Sequence, residues 1–516
     1  MRLLQRAFLF LLAIAIAIYF YATFYAAVDI PESRLLKAAS GPLSEIAFSD
    51  EQELVKGQRR FVVVIPADNP NPDLCKLISS AIALGYPSPV VVNWGEKSYK
   101  AEGGFWAPYL GKISGTLEYL DRVTLPDANE GDKLGEDDLV LILDAYDAWF
   151  QLPPNILLHR YHESNKRAND RLAAQWGVAD DIPMKQTIVV SAQKRCLPTS
   201  EEGSNLHCEA LPESDLRPDA YGEKTDTEAT YYDNIRPRYM NSGSFMGPAV
   251  DMKRYFRRVK ERLEKGLAEG LPFPGDQGIF AEIFGEQEVW RQWRRDFMGR
   301  FPNTEAAAFM QRDGEFHVGL DYTQNLFIPT VYAENDGRFI SLNNKSTIAQ
   351  HSFALGISHV HLLGVPEDLV DTYNPLADIL PGADWGEMAL YADFFTTAVP
   401  VVLHHNAWKD GVKERRIWWW DQTWYFPHLR QLLELHLKPG KLRPLASLPA
   451  HNGGHLKYFA PKSDEEKRKP RAFSRDTVKT GFDEIEFDAI CRYENETKDS
   501  KKHWYDEVFR DNKGPI

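Results

Sequence analysis

Cysteine is scarce in this sequence. Its 516 residues include four cysteines, Cys75, Cys196, Cys208 and Cys491, and no CxxC pair. This argues against a structural zinc site, because such sites pair their cysteines at short spacing. Cys196 and Cys208 flank a short polar stretch and could close a loop disulfide. Cys75 falls on the apolar side of a predicted helix and is predicted to be a buried thiol.

An excess of basic charge is also lacking. The chain has 60 lysines and arginines against 74 aspartates and glutamates, which gives a formal net charge of −14. An acidic chain has no general attraction for nucleic acid, and no basic groove or zinc-finger spacing is present. We therefore expect no nucleic-acid partner. Internal repeats and long low-complexity tracts are absent, so the chain is typical of a large globular protein.

One long uncharged run stands at the N-terminus. Residues 7–28 contain no charged side chain, and a helix of this length spans roughly 33 Å, enough for a bilayer core. A cleaved signal peptide is the alternative, but its apolar region would be shorter, about 7–15 residues. Arg2 and Arg6 precede the run, so the positive-inside rule leaves residues 1–6 in the cytosol.

These features predict a single-pass type II protein of the Golgi or endoplasmic reticulum membrane. Residues 7–28 are its transmembrane signal anchor, 29–59 a short stem, and the rest of the chain is lumenal. Glycosylation acceptor triplets begin at Asn344 and Asn495 and agree with this topology.

The segment after the stem alternates between strand and helix patterns. The apolar runs 61–65 and 89–93 are continuous, which is typical of strands covered on both faces, and a helical pattern over 74–84 lies between them. This strand–helix–strand order predicts an α/β fold with a central, mostly parallel sheet. A helix over 112–123 and a strand over 139–143 continue the pattern.

Further elements extend this domain, which is predicted to cover residues 60–440. Strands are expected over 187–191 and 239–245, with helices over 250–269 and 276–284, and the run 399–403 is expected to form a last core strand. Residues 441–516 are expected to be a polar, peripheral C-terminal tail.

Two aspartates follow the strongest strand pattern. Asp144 and Asp147 come directly after the run 139–143, and a turn after Asp144 would let both carboxylates converge on one point. A divalent cation would relieve their repulsion, and such a cation can bind a diphosphate leaving group. In open α/β sheets, ligands bind at the carboxyl ends of the strands, which is where these aspartates are predicted to lie. The alternative is an ordinary turn or helix cap.

Four other residues are candidates on weaker grounds. Asn241 lies in the glycine-rich segment 239–248 and could bind a sugar hydroxyl. Asp276 begins a helix and is either its N-cap or a general base. His404 follows an apolar run and could complete a metal site, and Lys409 could pair with phosphate; both are otherwise surface or core residues.

In this order, the motifs resemble the glycosyltransferase domain of the collagen lysyl hydroxylases and procollagen galactosyltransferases, a domain of the glycosyltransferase family 25 type. The similarity covers roughly residues 60–410. The matching segments are Val62-Val63-Val64-Ile65-Pro66-Ala67, Leu143-Asp144-Ala145-Tyr146-Asp147, Ile188-Val189-Val190-Ser191-Ala192, Met240-Asn241-Ser242-Gly243-Ser244-Phe245-Met246-Gly247, Asp276-Gln277, Val318-Gly319-Leu320-Asp321-Tyr322 and Val402-Leu403-His404-His405-Asn406.

The resemblance implies a GT-A fold and a transferase that uses Mn²⁺, or Mg²⁺ in its place, and a UDP-sugar. It implies that Asp144, Asp147 and His404 bind the metal. The residues that it places at the donor or acceptor are Ile65, Pro66, Ala67, Trp94, Lys112, Ala145, Tyr146, Asn241, Gln277, Asn406 and Lys409.

The sequence departs from this family at two positions. An acidic run usually precedes the family's glutamine, but Pro274 and Gly275 precede Asp276-Gln277 here, so Asp276 would be the catalytic base alone. The segment from His404 is one residue shorter before its lysine. We expect transfer of a hexose such as galactose or glucose to a hydroxyl of a protein or glycan. The alternative is a non-catalytic sugar- or partner-binding protein on the same fold.

Overall fold

The computed structural model describes residues 57–95, 107–177, 182–227, 234–297, 314–407, 409–449, 454–466 and 468–516. The predicted cytosolic tail, signal anchor and most of the stem lie outside these ranges. Among the residues described, no helix has the length and apolar character needed to span a membrane.

The described residues form strands whose lengths range from two to ten residues. They are β1 (Gln58–Pro66), β2 (Val90–Val92), β3 (Leu139–Leu143), β4 (Ala148–Phe150), β5 (Ile188–Gln193), β6 (Tyr239–Pro248), β7 (Val318–Asp321), β8 (Phe327–Pro329), β9 (Gly337–Ser341), β10 (Ala389–Asp393), β11 (Val402–His404), β12 (Ala446–Pro449), β13 (His455–Phe459), β14 (Arg471–Ala472) and β15 (Asp483–Glu484).

Helices connect and cover the strands. They are α1 (Pro72–Ala83), α2 (Ala107–Val123), α3 (Pro154–Trp176), α4 (Ala249–Ala268), α5 (Gln277–Phe297), α6 (Lys345–Ala354), α7 (Glu367–Val370), α8 (Arg415–Trp418), α9 (Leu429–His436), α10 (Phe487–Cys491) and α11 (Trp504–Val508). The helix predicted over 276–284 is longer than expected. It continues through Gly285, where a β-carbon would lie 2.5 Å from the Leu206 carbonyl oxygen, so the backbones pack closely there.

The predicted mixed α/β architecture is confirmed. The central sheet has the strand order β15-β14-β2-β1-β3-β6-β5-β7, and β13 also pairs with β1. Neighbouring strands are parallel except that β6 runs antiparallel to β3 and β5, and β15 runs antiparallel to β14. Strands β1, β3, β5 and β7 therefore end at the same edge of the sheet.

The continuous apolar sequence of β1 is explained by its two buried faces. Val63 and Ile65 pack in one hydrophobic cluster with Leu77 of α1. Val62 and Val64 point to the opposite face and pack in a second cluster with Ile113 of α2. Because successive side chains of a strand alternate between faces, a strand covered on both sides must be apolar throughout. This burial holds the strand ends, and the loops that follow them, in fixed positions.

The run 399–403 lies in the core, as predicted, but its strand is not the last one, because β12 to β15 follow it. Its strand, β11, belongs to a separate three-stranded sheet in which it lies antiparallel to β4 and parallel to β8. The register pairs His404 with Ala148, the residue that follows Asp147. A short apolar run does not reveal its partner strand, and here the partner places His404 beside the two aspartates.

The predicted peripheral C-terminal tail is also wrong. Residues 441–516 belong to the same compact unit as the sheet, and their strands β13 and β14 pair with β1 and β2. Trp504 is buried. Cys491 forms a disulfide with Cys75, so Cys75 is not a buried thiol. The predicted disulfide between Cys196 and Cys208 is confirmed. Buried contacts with residues distant in the sequence hold this tail, and local composition does not show them.

Candidate active site

The turn after β3 brings the two aspartates to one side of the sheet edge. β3 ends at Leu143, the turn contains Asp144 and Asp147, and β4 begins at Ala148. The backbone nitrogen of Asp144 donates to the Gly243 carbonyl oxygen at 2.9 Å, which anchors the turn to β6. In a continuous strand, two residues three positions apart would point to opposite faces of the sheet. The turn instead lets both carboxylates lie on the same side.

Asp144, Asp147 and His404 form a compact group of potential metal ligands. One ligand atom from each lies within 4.8 Å of the others. His404 Nε2 is 3.1 Å from Asp147 Oδ1 and 3.6 Å from Asp144 Oδ2. Asp147 and His404 are buried, whereas the Asp144 side chain is 32% exposed. Two carboxylates and one imidazole suit a divalent cation such as Mn²⁺. The exposed side of Asp144 leaves space for a further ligand of the cation from outside the protein.

The glycine-rich segment makes room for the imidazole. A β-carbon on Gly243 would lie 2.2 Å from His404 Cε1 and 2.3 Å from Nδ1, distances that no real contact shows. The Asn241 side chain supports Gly243 by accepting its backbone hydrogen bond at 3.1 Å. Buried His404 Nδ1 has no hydrogen-bond partner among the described residues. This cradle fits a metal-binding histidine whose ring must stay in one orientation.

Each aspartate also contacts a lysine through its second oxygen. Lys413 Nζ lies 2.7 Å from Asp147 Oδ2, and Lys112 Nζ lies 2.8 Å from Asp144 Oδ1. Burial raises the pKa of Asp147, but the nearby His404 and Lys413 outweigh it and hold that pKa well below its usual range. The Asp147 carboxylate is therefore ionised and available to a cation at neutral pH.

Asp276 faces this group as well. Lys112 Nζ lies 2.5 Å from Asp276 Oδ2, so Lys112 bridges Asp276 and Asp144. The Asp276 carbonyl begins α5 by accepting from the backbone nitrogens of Ile279 and Phe280, while its side chain points to Lys112. Burial raises the pKa of Asp276 above its ordinary value, although Lys112 opposes the shift. The structure thus gives Asp276 a buried counter-ion, which neither alternative from the sequence included.

The segments after β1 and β3 meet beside the aspartates. The Tyr146 hydroxyl donates to Asp68 Oδ1 at 3.1 Å and accepts from the Asn69 backbone nitrogen at 3.3 Å. The Ala67 backbone nitrogen donates to the Val92 carbonyl oxygen at 3.0 Å. Of the other candidates here, Ile65 and Ala145 are buried, and Pro66 and Trp94 are half-buried. The structure therefore brings these candidates to the carboxyl edge of β1, β2 and β3.

Asn241 and Gln277 bind other residues of the protein. Asn241 Nδ2 donates to Gln193 Oε1 at 2.9 Å and to Gln277 Oε1 at 3.3 Å, and Gln277 Nε2 donates to the Leu197 carbonyl oxygen at 2.9 Å. Asn241 is buried. In this arrangement both side chains support the glycine-rich segment.

In the segment after β11, Lys413 and not the predicted Lys409 contacts an aspartate of the site. Asn406 Oδ1 accepts from the Val331 backbone nitrogen at 3.1 Å and holds the turn after β8. Lys409 is exposed and forms no ion pair with either aspartate within the described ranges, whereas Lys413 contacts Asp147. Lys413 could not be predicted from the sequence, because nothing except its position, four residues after Lys409, distinguishes it from that lysine. His405 is a core residue whose ring centroid lies 4.1 Å from that of Trp149.

No protein-family model and no curated protein matches the chain. Among solved structures, the chain is similar to the galactosyltransferase LgtC, crystallised in complex with donor and acceptor sugar analogues. The sequence identity is 12% and the TM-score is 0.26, and the match covers 72% of this chain and 95% of that chain. So slight a likeness does not bear on function, which must be inferred from the residues of the site.

Proposed function

We propose that the protein is a metal-dependent glycosyltransferase of the GT-A type, related to glycosyltransferase family 25. It moves a hexose, galactose or glucose, from a UDP-sugar to a hydroxyl of a protein or glycan. The convergence of Asp144, Asp147 and His404 at the carboxyl edge of the sheet carries this proposal. Ligands of open α/β sheets bind at this edge, and mixed oxygen and nitrogen ligands suit Mn²⁺ or Mg²⁺.

In this proposal, Asp144, Asp147 and His404 hold the cation. A bound Mn²⁺ supplies a Lewis acid for the negative charge that develops on the leaving diphosphate. Lys112 and Lys413 add two positive charges next to the same aspartates and favour the approach of an anionic donor. The hydrogen bond between Tyr146 and Asp68, which lies in the segment after β1, is at the adjacent strand ends, where the nucleotide would bind.

Asp276 is the proposed general base. Its carboxylate is buried and shares Lys112 with Asp144, so it lies next to the proposed metal site without belonging to the group of three ligands. A raised pKa increases the strength of a carboxylate as a base. Lys112 keeps that carboxylate ionised and oriented until an acceptor hydroxyl approaches.

We also propose a single-pass type II topology with the catalytic domain in the lumen of the Golgi or endoplasmic reticulum. The uncharged run 7–28 is the basis for this proposal. Two disulfides support it, since disulfides persist in oxidising compartments. Asn344 and Asn495, which begin the acceptor triplets, are both exposed.

The proposal is tested with the purified full-length chain in detergent. Each UDP-sugar of a panel is incubated with Mn²⁺ or with a chelator, and UDP release is measured with and without acceptors. We expect release from one hexose donor that depends on Mn²⁺. Binding of UDP and Mn²⁺ without turnover of any donor would instead support the non-catalytic alternative. The absence of binding as well would reject the proposed site.

A further inference from the structure

Each aspartate of the metal-binding group divides its two oxygens between His404 and one lysine. Asp147 Oδ1 faces His404 Nε2 at 3.1 Å, and Asp147 Oδ2 faces Lys413 Nζ at 2.7 Å. The ammonium group of Lys413 therefore contacts one oxygen of Asp147, a carboxylate that is proposed to bind the cation. Positive charges this close repel each other, and partial burial of the site strengthens the repulsion. Lys413 thus opposes cation binding through its charge, while it leaves Asp147 Oδ1 available.

The two lysines are held very differently. Lys112 has a side chain that is only 7% exposed, and its ammonium contacts Asp144, Asp276 and the Ser242 carbonyl oxygen. The Lys413 side chain is 51% exposed, and Asp147 is the one ion-pair partner of its ammonium in the part of the chain that the structure describes. The exposed side chain of Lys413 can therefore turn away from Asp147 toward solvent or a bound anion, and Asp147 then keeps its contact with His404. Lys112 has no such freedom, because it is buried between its partners.

We propose that Lys413 is an exchangeable counter-ion of Asp147 that transfers to the diphosphate of a bound nucleotide, which makes the binding of cation and nucleotide cooperative. This inference rests on the proposed function. A nucleoside diphosphate offers the ammonium a stronger anionic partner, and lysine binds phosphate as a mobile point charge. Once Lys413 leaves Asp147, the cation meets less repulsion. By linkage, the cation then strengthens nucleotide binding by the same factor.

The test measures Mn²⁺ affinity of the full chain from the electron paramagnetic resonance signal of free Mn²⁺, with and without UDP. Removing the charge in Lys413→Met should tighten binding of Mn²⁺ alone by about 3- to 10-fold and should reduce the tightening caused by UDP by a similar factor. Lys413→Gln should repeat this result, and Lys413→Arg should behave like the wild type. Lys409→Met removes a charge from the same segment and should leave the affinity for Mn²⁺ alone unchanged.

The sign of the change decides the outcome. Unchanged affinity for Mn²⁺ alone in Lys413→Met would mean that Lys413 does not oppose the cation. Weaker affinity would mean that Lys413 only orients Asp147, as an outer-shell partner does. Either result overturns the inference while the metal site stands. If Asp144→Ala and Asp147→Ala bind Mn²⁺ as tightly as the wild type, the metal site is wrong, and the proposed function fails together with the inference.

Discussion

The ring of His404 lies against Gly243 so closely that a β-carbon at this position would stand 2.2 Å from His404 Cε1. The clashing atoms belong to a planar ring that is buried and cannot move far. The only residue that allows this orientation is therefore glycine. The contact explains why a glycine-rich segment and a histidine that are far apart in the sequence belong to one site.

Replacing Gly243 with alanine should displace the imidazole. We expect Gly243→Ala to weaken Mn²⁺ binding by about 10-fold or more, because the orientation of a metal ligand sets its affinity. Calorimetric titration with Mn²⁺ measures the effect. Gly440→Ala is the matched control, since nothing lies within 4 Å of a β-carbon at Gly440. Equal affinity in both variants would show that the ring orientation does not matter.

The role of Asp276 can be separated from metal binding by the pH dependence of turnover. A base acts when it is deprotonated, so kcat should rise with pH through the pKa of Asp276, which burial raises. Asp276→Asn should lower kcat by about 100-fold or more and remove this acidic limb, with Mn²⁺ affinity retained. A pH profile that keeps the limb in Asp276→Asn would assign the base to another group.

The disulfide between Cys75 and Cys491 should contribute strongly to stability. It joins α1 to α10 across a sequence separation of 416 residues, against 12 for the disulfide between Cys196 and Cys208. Cross-links that close long loops restrict the unfolded chain most, in a model-dependent way. We expect the double alanine variant of the first pair to lose about 2–5 kcal/mol of unfolding free energy. Denaturant titration should show a smaller loss for the second pair.

Glu507 provides a pH test of how the C-terminal helix is attached. Burial raises its pKa, but Lys76 and Lys502 outweigh this and lower the pKa from 4.5 to about 2. A carboxylate with a lowered folded pKa stabilises the protein above its unfolded pKa and loses that contribution as the pH falls through the folded value. Wild-type stability should therefore decline between pH 4.5 and about 2 more steeply than that of Glu507→Gln. Parallel declines would contradict this assignment.

Much of the central sheet could be predicted from the sequence. Strand β3 has the bounds predicted, and β1 and α1 differ from their predictions by a few residues. These elements are buried on both faces or on one stripe, so local periodicity reports them directly. The turn with Asp144 and Asp147 was predictable for the same reason, because it begins where such a strand ends.

Features that depend on distant partners could not be predicted. β11 pairs with β4 across more than two hundred residues, and β14 contributes only two residues to the central sheet. No local pattern marks such short strands. Lys413 contacts Asp147 because of the path of the turns after β11, and the lysine nearest in sequence to the expected position, Lys409, is exposed.

We propose that Asp144 and Asp147 hold a cation that is required for donor cleavage. The most direct test compares UDP release from the preferred UDP-sugar by the wild type, Asp144→Ala and Asp147→Ala in saturating Mn²⁺. We predict that each variant loses about 100-fold or more of the wild-type rate and that the folded state of each is retained. Equal turnover in the wild type and both variants would contradict the claim.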